Sequence, residues 1–334
     1  MLAVFDIGGT NLRAATFYLG VLSNIEIIKT PNYFVYSSEE KINEQIIEII
    51  QSYIIKHKQV KSVGVCFAGP VSKQGVVIGS SVIYGKKLNK PFHLRSKLMK
   101  ILGMNQIIVV NDLFAAAWRY IGIYKNFLIL TISSGIGNKI VVNNEVQIGN
   151  EGFEGELGHI LAFGCDSIEV TCTCGCGNNH IGAISSGRGI ENVANILKNN
   201  RFINSYSKSV LYEIESIKAD DIAKAADSSA DAFALEVIWY CVRPLAYTLC
   251  ALLTSLYLEK IIIMGGFAQN CISYIEILKK QMIEFGVYNY SSSMISSRVE
   301  MGKNDDMHGI WGLVNYSNNY YNRSGIKIIK EVIK

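Results

Sequence analysis

The chain has 334 residues, 49% of them hydrophobic and 18% charged, with a formal net charge of +4. A chain of this length usually divides into two domains, and so apolar a composition excludes a disordered or nucleic-acid-coating protein. The lysines are scattered apart from short pairs such as Lys86-Lys87 and Lys279-Lys280, so nucleic acid is not an expected partner.

In chain order, Leu2 to Phe5 reads as a strand, and the start lacks the basic region, apolar core and cleavage site of a signal peptide. A cytoplasmic location is therefore expected. Asp6-Ile7-Gly8-Gly9-Thr10-Asn11 forms a tight turn into a second strand, Ala14 to Tyr18. Glycines at 8 and 9 let backbone N–H groups approach an anion, and the Thr10 hydroxyl adds a donor. Ile25 to Pro31 is a further strand, and Ser37 to His57 an amphipathic helix with Ser37 and Glu40 at capping-box spacing. Val60 to Phe67 reads as a buried strand ending in Ala68-Gly69-Pro70-Val71, followed by strand again at Val76 to Ile83. This order gives an α/β layer architecture.

Ile107 to Asn111 is a strand whose end delivers Asn111-Asp112, with a helix from Leu113 to Ile123. Phe127 to Ile132 ends in Ser133-Ser134-Gly135-Ile136-Gly137-Asn138-Lys139, and a strand resumes at Ile140. The strand-turn-strand of the N-terminus thus recurs, which predicts two related halves closing over one phosphate group. Between Glu151 and Glu191, acid, imidazole, thiols and glycines gather: Gly155-Glu156-Leu157-Gly158-His159, Cys172-Thr173-Cys174-Gly175-Cys176-Gly177-Asn178-Asn179-His180, and Ser186-Gly187. Cys66, Cys241, Cys250 and Cys271 lie in apolar surroundings and read as core, whereas Cys165 and the Cys172 to Cys176 run read as metal-binding in a reducing compartment.

Helices are expected at Ser186 to Asn200 and Lys218 to Ala226, and from Asp231 to Lys260 with a kink or break at Pro244. The uncharged run from Pro244 to Leu258 is shorter than the roughly 20 residues of a bilayer span and reads as a buried helix, so no membrane is expected. Ile261 to Met264 is a strand leading to Gly265-Gly266, which opens a helix through Met282. Ser296 to Met301 is a strand, Asp305-Asp306 caps a helix from Met307 to Tyr316, and Ile326 to Lys334 closes the chain as helix or strand.

In register, Asp6 to Asn11, Gly69-Pro70-Val71, Asn111-Asp112, Ser134-Gly135-Ile136-Gly137, Gly155 to His159, the Cys-x-Cys-Gly run with Ser186-Gly187, and Met264-Gly265-Gly266 resemble the ROK family. These are sugar kinases of the actin and hexokinase ATPase superfamily, of glucokinase and N-acetylmannosamine kinase type. The resemblance implies a two-domain, actin-like (ribonuclease H-like) α/β fold with mixed five-stranded sheets and an interdomain cleft. It implies a small domain at 1–110, joined by 317–334, and a large domain at 111–316 carrying a zinc loop at 159–181. It also implies transfer of the γ-phosphoryl of ATP to a hexose hydroxyl, C6 foremost, by a homodimer or homotetramer, with N-acetylmannosamine as the alternative acceptor.

By the same resemblance, Asp112 is the catalytic base, and Asn111, Glu156, His159 and Gly69 hold the sugar. Gly8, Gly9, Thr10, Asn11, Ser134, Gly135, Gly137, Gly265 and Gly266 hold ATP, and Asp6 positions magnesium through water. His159, Cys172 and Cys174 bind structural zinc with His180, displaced by a one-residue insertion, as last ligand and Cys176 as its competitor. The family's sugar-binding glutamate is Gly182 here, and an asparagine that also meets the sugar falls near Val82. Both changes remove polar anchors, and Gly182 is expected to open room for another substrate. The family's repressors place a helix-turn-helix before the first glycine turn, which here begins at residue 6. A non-catalytic sugar-binding relative is the remaining alternative, opposed by the retained Asp112, Gly8 and Gly135.

Overall fold

The structure, a computed structural model, describes residues 1–85, 88–163, 168, 170–172, 174, 176–199 and 208–323. In chain order its elements are strands β1 (Leu2–Ile7), β2 (Asn11–Tyr18) and β3 (Val21–Lys29), helix α1 (Glu39–Lys56), β4 (Ser62–Phe67), α2 (Ser81–Tyr84), α3 (Leu94–Leu102), β5 (Ile107–Asn111) and α4 (Asp112–Trp118). There follow β6 (Phe127–Ile132), β7 (Ile136–Val142), β8 (Glu145–Val146), α5 (Ile181–Ser185), α6 (Gly187–Asn199), α7 (Ala219–Ser229) and α8 (Ala232–Ser255). The last are β9 (Lys260–Met264), α9 (Gly266–Asn270), α10 (Ile272–Phe285), α11 (Ser292–Arg298), β10 (Val299–Met301) and α12 (His308–Arg323).

The chain divides into two compact units. The first comprises Met1–Ile123, Val146–Glu154 and the part from Asp305 onward; the second comprises Tyr124–Glu145 and Gly155–Asn304. The division therefore falls later than the expected 110/111 and returns earlier than 317. The reason is local packing: Phe114 of α4 meets Tyr316 of α12 edge-to-face and Trp118 meets it at a tilt, with ring centroids 4.8 and 5.1 Å apart, which keeps both helices in the first unit.

The first unit carries a five-stranded sheet in the order β3-β2-β1-β4-β5. β1 pairs antiparallel with β2 and parallel with β4, which pairs parallel with β5. Alternation along the strands sends Phe5, Ile7, Val65 and Phe67 to one face, against Ile42, Ile46 and Ile50 of α1 and Leu94 and Leu98 of α3. Leu2, Val4 and Cys66 point to the other, against Ile310, Leu313 and Val314 of α12. Each such buried aliphatic side chain contributes about 1.5–3 kcal/mol. The cap of α1 is Ser38, whose hydroxyl accepts from Lys41 N at 3.2 Å, rather than Ser37. The strand expected at 76–83 does not form, because Ser80 caps the short α2 instead and Val77 makes only isolated bridges to Val71 and Phe92.

The second unit repeats the plan. Its sheet runs β10-β9-β6-β7-β8, with β6 antiparallel to β7 and parallel to β9. Leu128, Leu130 and Ile132 pack with Ile184 of α5, Ile190 and Val193 of α6, Val242, Leu245 and Leu249 of α8, and Leu278 of α10. α8 is apolar enough to cross a membrane by length and composition, yet its buried residues belong to this core, as expected of a core helix. It runs through Pro244 without breaking. The single helix expected at 265–282 is instead α9 and α10, and the strand expected at 296–301 shortens to β10 because Ser291 caps α11. The expectations for Lys86-Lys87, Cys165 and the closing segment at 326–334 lie outside the described residues.

Candidate active site and metal-binding group

In the first unit, parallel pairing sets the ends of β1, β4 and β5 side by side: Asp6 registers with Cys66, and Phe67 with Asn111. The segments leaving those ends carry Gly8 to Asn11, Gly69 and Asp112, so residues far apart in sequence share one sheet edge. This is where parallel strands characteristically present ligand-binding groups. Asn111 caps α4: its Oδ1 accepts from Leu113 N and Phe114 N, both at 3.0 Å. Its Nδ2 donates to Gly69 O at 2.9 Å and to Asp112 Oδ1 at 2.8 Å. Asp112, the first residue of α4, also accepts from Leu113 N at 2.9 Å. One amide thus ties the carboxylate, the helix start and the Gly69 turn. Gly69 has φ 144°, and a Cβ there would lie 2.2 Å from Gly79 O, so no other residue fits that turn.

The first glycine turn closes with Gly8 N donating to Asn11 O at 3.1 Å, and Asn32 Nδ2 donates to Gly9 O at 3.2 Å. Val82 packs directly over Gly9, where a Cβ would sit 2.8 Å from the valine Cβ. Asp6 accepts from the Cys66 thiol at 3.3 Å. Burial raises its carboxyl above the ordinary range, with the Cys66 hydrogen bond and Arg13 opposing; a nearby cation would offset that desolvation. The Cys66 thiol is pushed well up by the same burial and by the Asp6 and Asp112 carboxylates.

In the second unit, the Ser133-Ser134-Gly135 turn between β6 and β7 lies at the same sheet end as Gly265-Gly266, because Thr131 registers with Met264. Ser133 O accepts from Gly187 N at 2.7 Å, bringing the start of α6 to the turn. Asn138 joins β7 to the next motif: its N donates to Gly155 O at 3.0 Å and its Oδ1 accepts from Leu157 N at 3.0 Å. Gly155 has φ 90°, and a Cβ there would lie 2.0 Å from Asn138 O and 3.0 Å from Lys139 Nζ. Glu156 and His159 follow on a 3-10 turn, half-exposed, with His159 Nε2 at 3.9 Å from Glu156 Oε2.

The other nitrogen of His159 faces a metal-binding group. Donor atoms of His159, Cys172, Cys174 and His180 all lie within 4.8 Å of one another. His159 Nδ1 is 3.4 Å from His180 Nδ1 and 3.7 Å from Cys172 Sγ, and Cys174 Sγ is 3.7 Å from His180 Nδ1. A tetrahedral ion with bonds of about 2.1 Å to nitrogen and about 2.3 Å to sulfur separates two nitrogens by about 3.4 Å and nitrogen from sulfur by about 3.6 Å. The spacing fits such an ion. Burial, then His159, lowers the His180 pKa, favouring the neutral imidazole that a ligand must be. Cys176 Sγ stands 3.1 Å from Cys174 Sγ, closer than the roughly 3.8 Å of two sulfurs on one tetrahedral ion. His180, and not Cys176, completes the group of four.

The ROK family signature matches residues 2–316. This chain belongs to the ROK family. A C(7)-cyclitol 7-kinase of Streptomyces hygroscopicus subsp. jinggangensis is 29% identical over 328 residues, covering 93% of this chain and 92% of that protein. A glucokinase of Aeropyrum pernix is 26% identical over 322 residues, covering 92% and 94%. The crystal structure of a ROK family glucokinase from Streptomyces griseus, in complex with glucose and AMPPNP, superposes with a TM-score of 0.71 at 21% identity, covering 95% and 99%. The fold is accordingly the actin-like ATPase fold of ROK sugar kinases, and the protein is an ATP-dependent sugar phosphotransferase.

Three features of this ROK protein escaped the sequence reading. Cys66 reads as plain core, yet it donates to Asp6; strand register places it there, and register is not written in local sequence. Lys139 is buried beside Gly155. Gly182 lies close to the 3-10 turn: a Cβ there would be 3.0 Å from Gly158 O, a tight contact that the backbone must ease by a few tenths of an ångström.

Proposed function

We propose that this ROK protein phosphorylates the exocyclic primary hydroxyl of a six-membered polyol ring, C6 of a hexose or the corresponding carbon of a C7-cyclitol. The observation that carries the reading is the Asn111 constellation, which fixes Asp112 at the sheet edge shared with the first glycine turn. Asp112 is the base. It accepts the hydroxyl proton as the new O–P bond forms and the bond between the β- and γ-phosphates breaks, leaving ADP. Asn111 orients Asp112 and meets the acceptor, while Gly69 lends its turn to the same edge. Glu156 and His159 Nε2 are half-exposed and available to hold ring hydroxyls. Backbone N–H groups of Gly8 to Asn11, Ser134 to Gly137 and Gly265-Gly266 bind ATP. Catalysis of this kind is mostly positioning and charge neutralisation.

Magnesium, when bound with ATP, neutralises phosphate charge, and Asp6 is the residue that would hold it through water. Zinc would be held by His159, Cys172, Cys174 and His180, fixing the His159 tautomer so that Nε2 addresses the substrate. A cyclitol is a carbocycle without an anomeric carbon, and the family glutamate replaced by Gly182 meets the sugar near C1 and C2, so its loss favours the cyclitol over glucose. The similarity to a cyclitol kinase along most of both chains supports the same choice. N-acetylmannosamine is the alternative acceptor. The protein is proposed to act in the cytoplasm as a homo-oligomer.

The test is purified protein with ATP and Mg²⁺ against hexoses, N-acetylhexosamines and C7-cyclitols, read as ADP release and product mass. A cyclitol phosphate with the highest kcat/KM is expected. Binding of an acceptor without phosphorylation of any would sink the kinase reading, and a preference for glucose would sink the cyclitol choice.

A further inference from the structure

Among the described residues, Cys176 is an exposed thiol that neither the active site nor the four-donor metal group uses. Cys174 is exposed as well, and the two sulfurs are 3.1 Å apart. Asn178 N donates to Cys176 Sγ at 3.3 Å, which holds the sulfur in place, and the sequence puts glycine between the two cysteines and again at 177, where φ is 75°. Closing to a disulfide at about 2.05 Å asks for roughly 1 Å of movement in a glycine-rich turn.

We propose that Cys174 and Cys176 form a peroxide-sensitive modification site, whose oxidation to a disulfide removes one ligand and unloads the metal group. The inference rests on the metal reading above. A hydroperoxide is the oxidant. One thiolate attacks its terminal oxygen, the O–O bond breaks and the alkoxide leaves with a proton as an alcohol, giving a sulfenic acid. The neighbouring sulfur attacks the sulfenic sulfur, the S–O bond breaks and water leaves. The net change is two thiols and one hydroperoxide to one disulfide, one alcohol and one water. A thiolate bound to a metal and exposed to solvent remains a nucleophile, and the second thiol at contact distance makes disulfide formation faster than over-oxidation. Once Cys174 is taken, His159, Cys172 and His180 remain, and the histidine that addresses the substrate loses its anchor.

The experiment uses the reduced full chain, with zinc content measured first by elemental analysis. Hydrogen peroxide is then added, and zinc release is followed with a chromogenic chelator and disulfides by peptide mass mapping. The wild type is expected to release its zinc while the Cys174-Cys176 peptide loses about 2 Da. Cys176→Ser is expected to be purified with zinc and an unchanged melting temperature, and to release zinc at least about tenfold more slowly. Release from Cys176→Ser at the wild-type rate, or its purification without zinc, overturns the proposal. Reduced wild type without any bound metal defeats the metal reading instead, and the absence of a Cys174–Cys176 cross-link in the mapped peptides overturns the pairing on its own.

Discussion

Asn111→Asp separates what Asn111 does for the fold from what it does for chemistry. The aspartate keeps an oxygen for Leu113 N and Phe114 N, and aspartate caps a helix as well as asparagine. Its second oxygen, however, replaces a nitrogen that sits 2.8 Å from Asp112 Oδ1 and 2.9 Å from Gly69 O. Two unit charges at that separation repel by about 6 kcal/mol at an effective dielectric of about 20, so both carboxyls cannot ionise together and the pair retains a proton to higher pH. The base is then blocked near neutrality. Loss of general-base catalysis predicts a fall in kcat of about 100-fold or more, partly recovered as pH rises and the shared proton leaves. Asn111→Ala behaves differently: it loses the cap, about 1 kcal/mol, and the ties to Gly69 and Asp112, so its melting temperature falls without an alkaline recovery. The assay is ADP release with the best acceptor across pH, alongside thermal melts. Wild-type kcat with an unchanged pH profile in Asn111→Asp would refute the positioning of Asp112 by this amide.

Asp112→Asn is expected to abolish turnover while calorimetry still detects acceptor binding; unchanged turnover would remove Asp112 from the base role. Asp305, held by Arg119 with paired contacts of 2.6 and 2.5 Å, has its carboxyl lowered from 3.8 to about 2, chiefly by that hydrogen bond. Because the folded-state pKa is depressed, the stabilisation is fully present above about pH 4 and is lost as pH falls toward about 2. Asp305→Asn should therefore cost about 1 kcal/mol at neutral pH after discounting for its solvent exposure, and progressively less as pH falls toward and below about 2, as read by denaturant melts. Gly155→Ala, which forces a Cβ to 2.0 Å from Asn138 O at φ 90°, is expected to destabilise the second unit by at least about 3 kcal/mol and to raise KM for the acceptor more than for ATP; an unchanged melting temperature would show that the turn relaxes.

The two sheets were legible because alternation and glycine turns are local signals: Met1 to Tyr18 and Phe127 to Asn143 each announce a strand, a turn and a strand. Local capping chemistry was only partly read. Ser37 and Ser38 both offer a hydroxyl before α1, and spacing alone does not say which backbone reaches an N–H; Ser80 similarly turned an expected strand into α2. What could not be read at all was register. That Cys66 meets Asp6, that Arg119 meets Asp305, and that Gly182 meets Gly158 depends on which strands and turns lie side by side, and each pair is separated by enough chain to leave no local trace. The metal group shows the opposite case. His159, Cys172, Cys174 and His180 were named from the resemblance to the family, with Cys176 as competitor, and the structure brings those four donors together.

The contact at Gly182 changes what its departure from the family means. If the position were merely vacant, restoring a glutamate would add a sugar anchor and nothing else. Instead the start of α5 lies so close to the 3-10 turn that a Cβ would meet Gly158 O at 3.0 Å, and Gly158 immediately precedes His159. A side chain at 182 would ask the Gly158 carbonyl to give by a few tenths of an ångström, so a change there reaches the turn that carries Glu156 and His159. In the first unit, the Val82 side chain covers Gly9 with an apolar surface. A substrate that needs no hydrogen bond at those two places loses nothing, whereas each buried hydroxyl left unmatched costs about 1–3 kcal/mol. On the reading proposed above, both positions disfavour a fully hydroxylated pyranose and favour a carbocyclic acceptor.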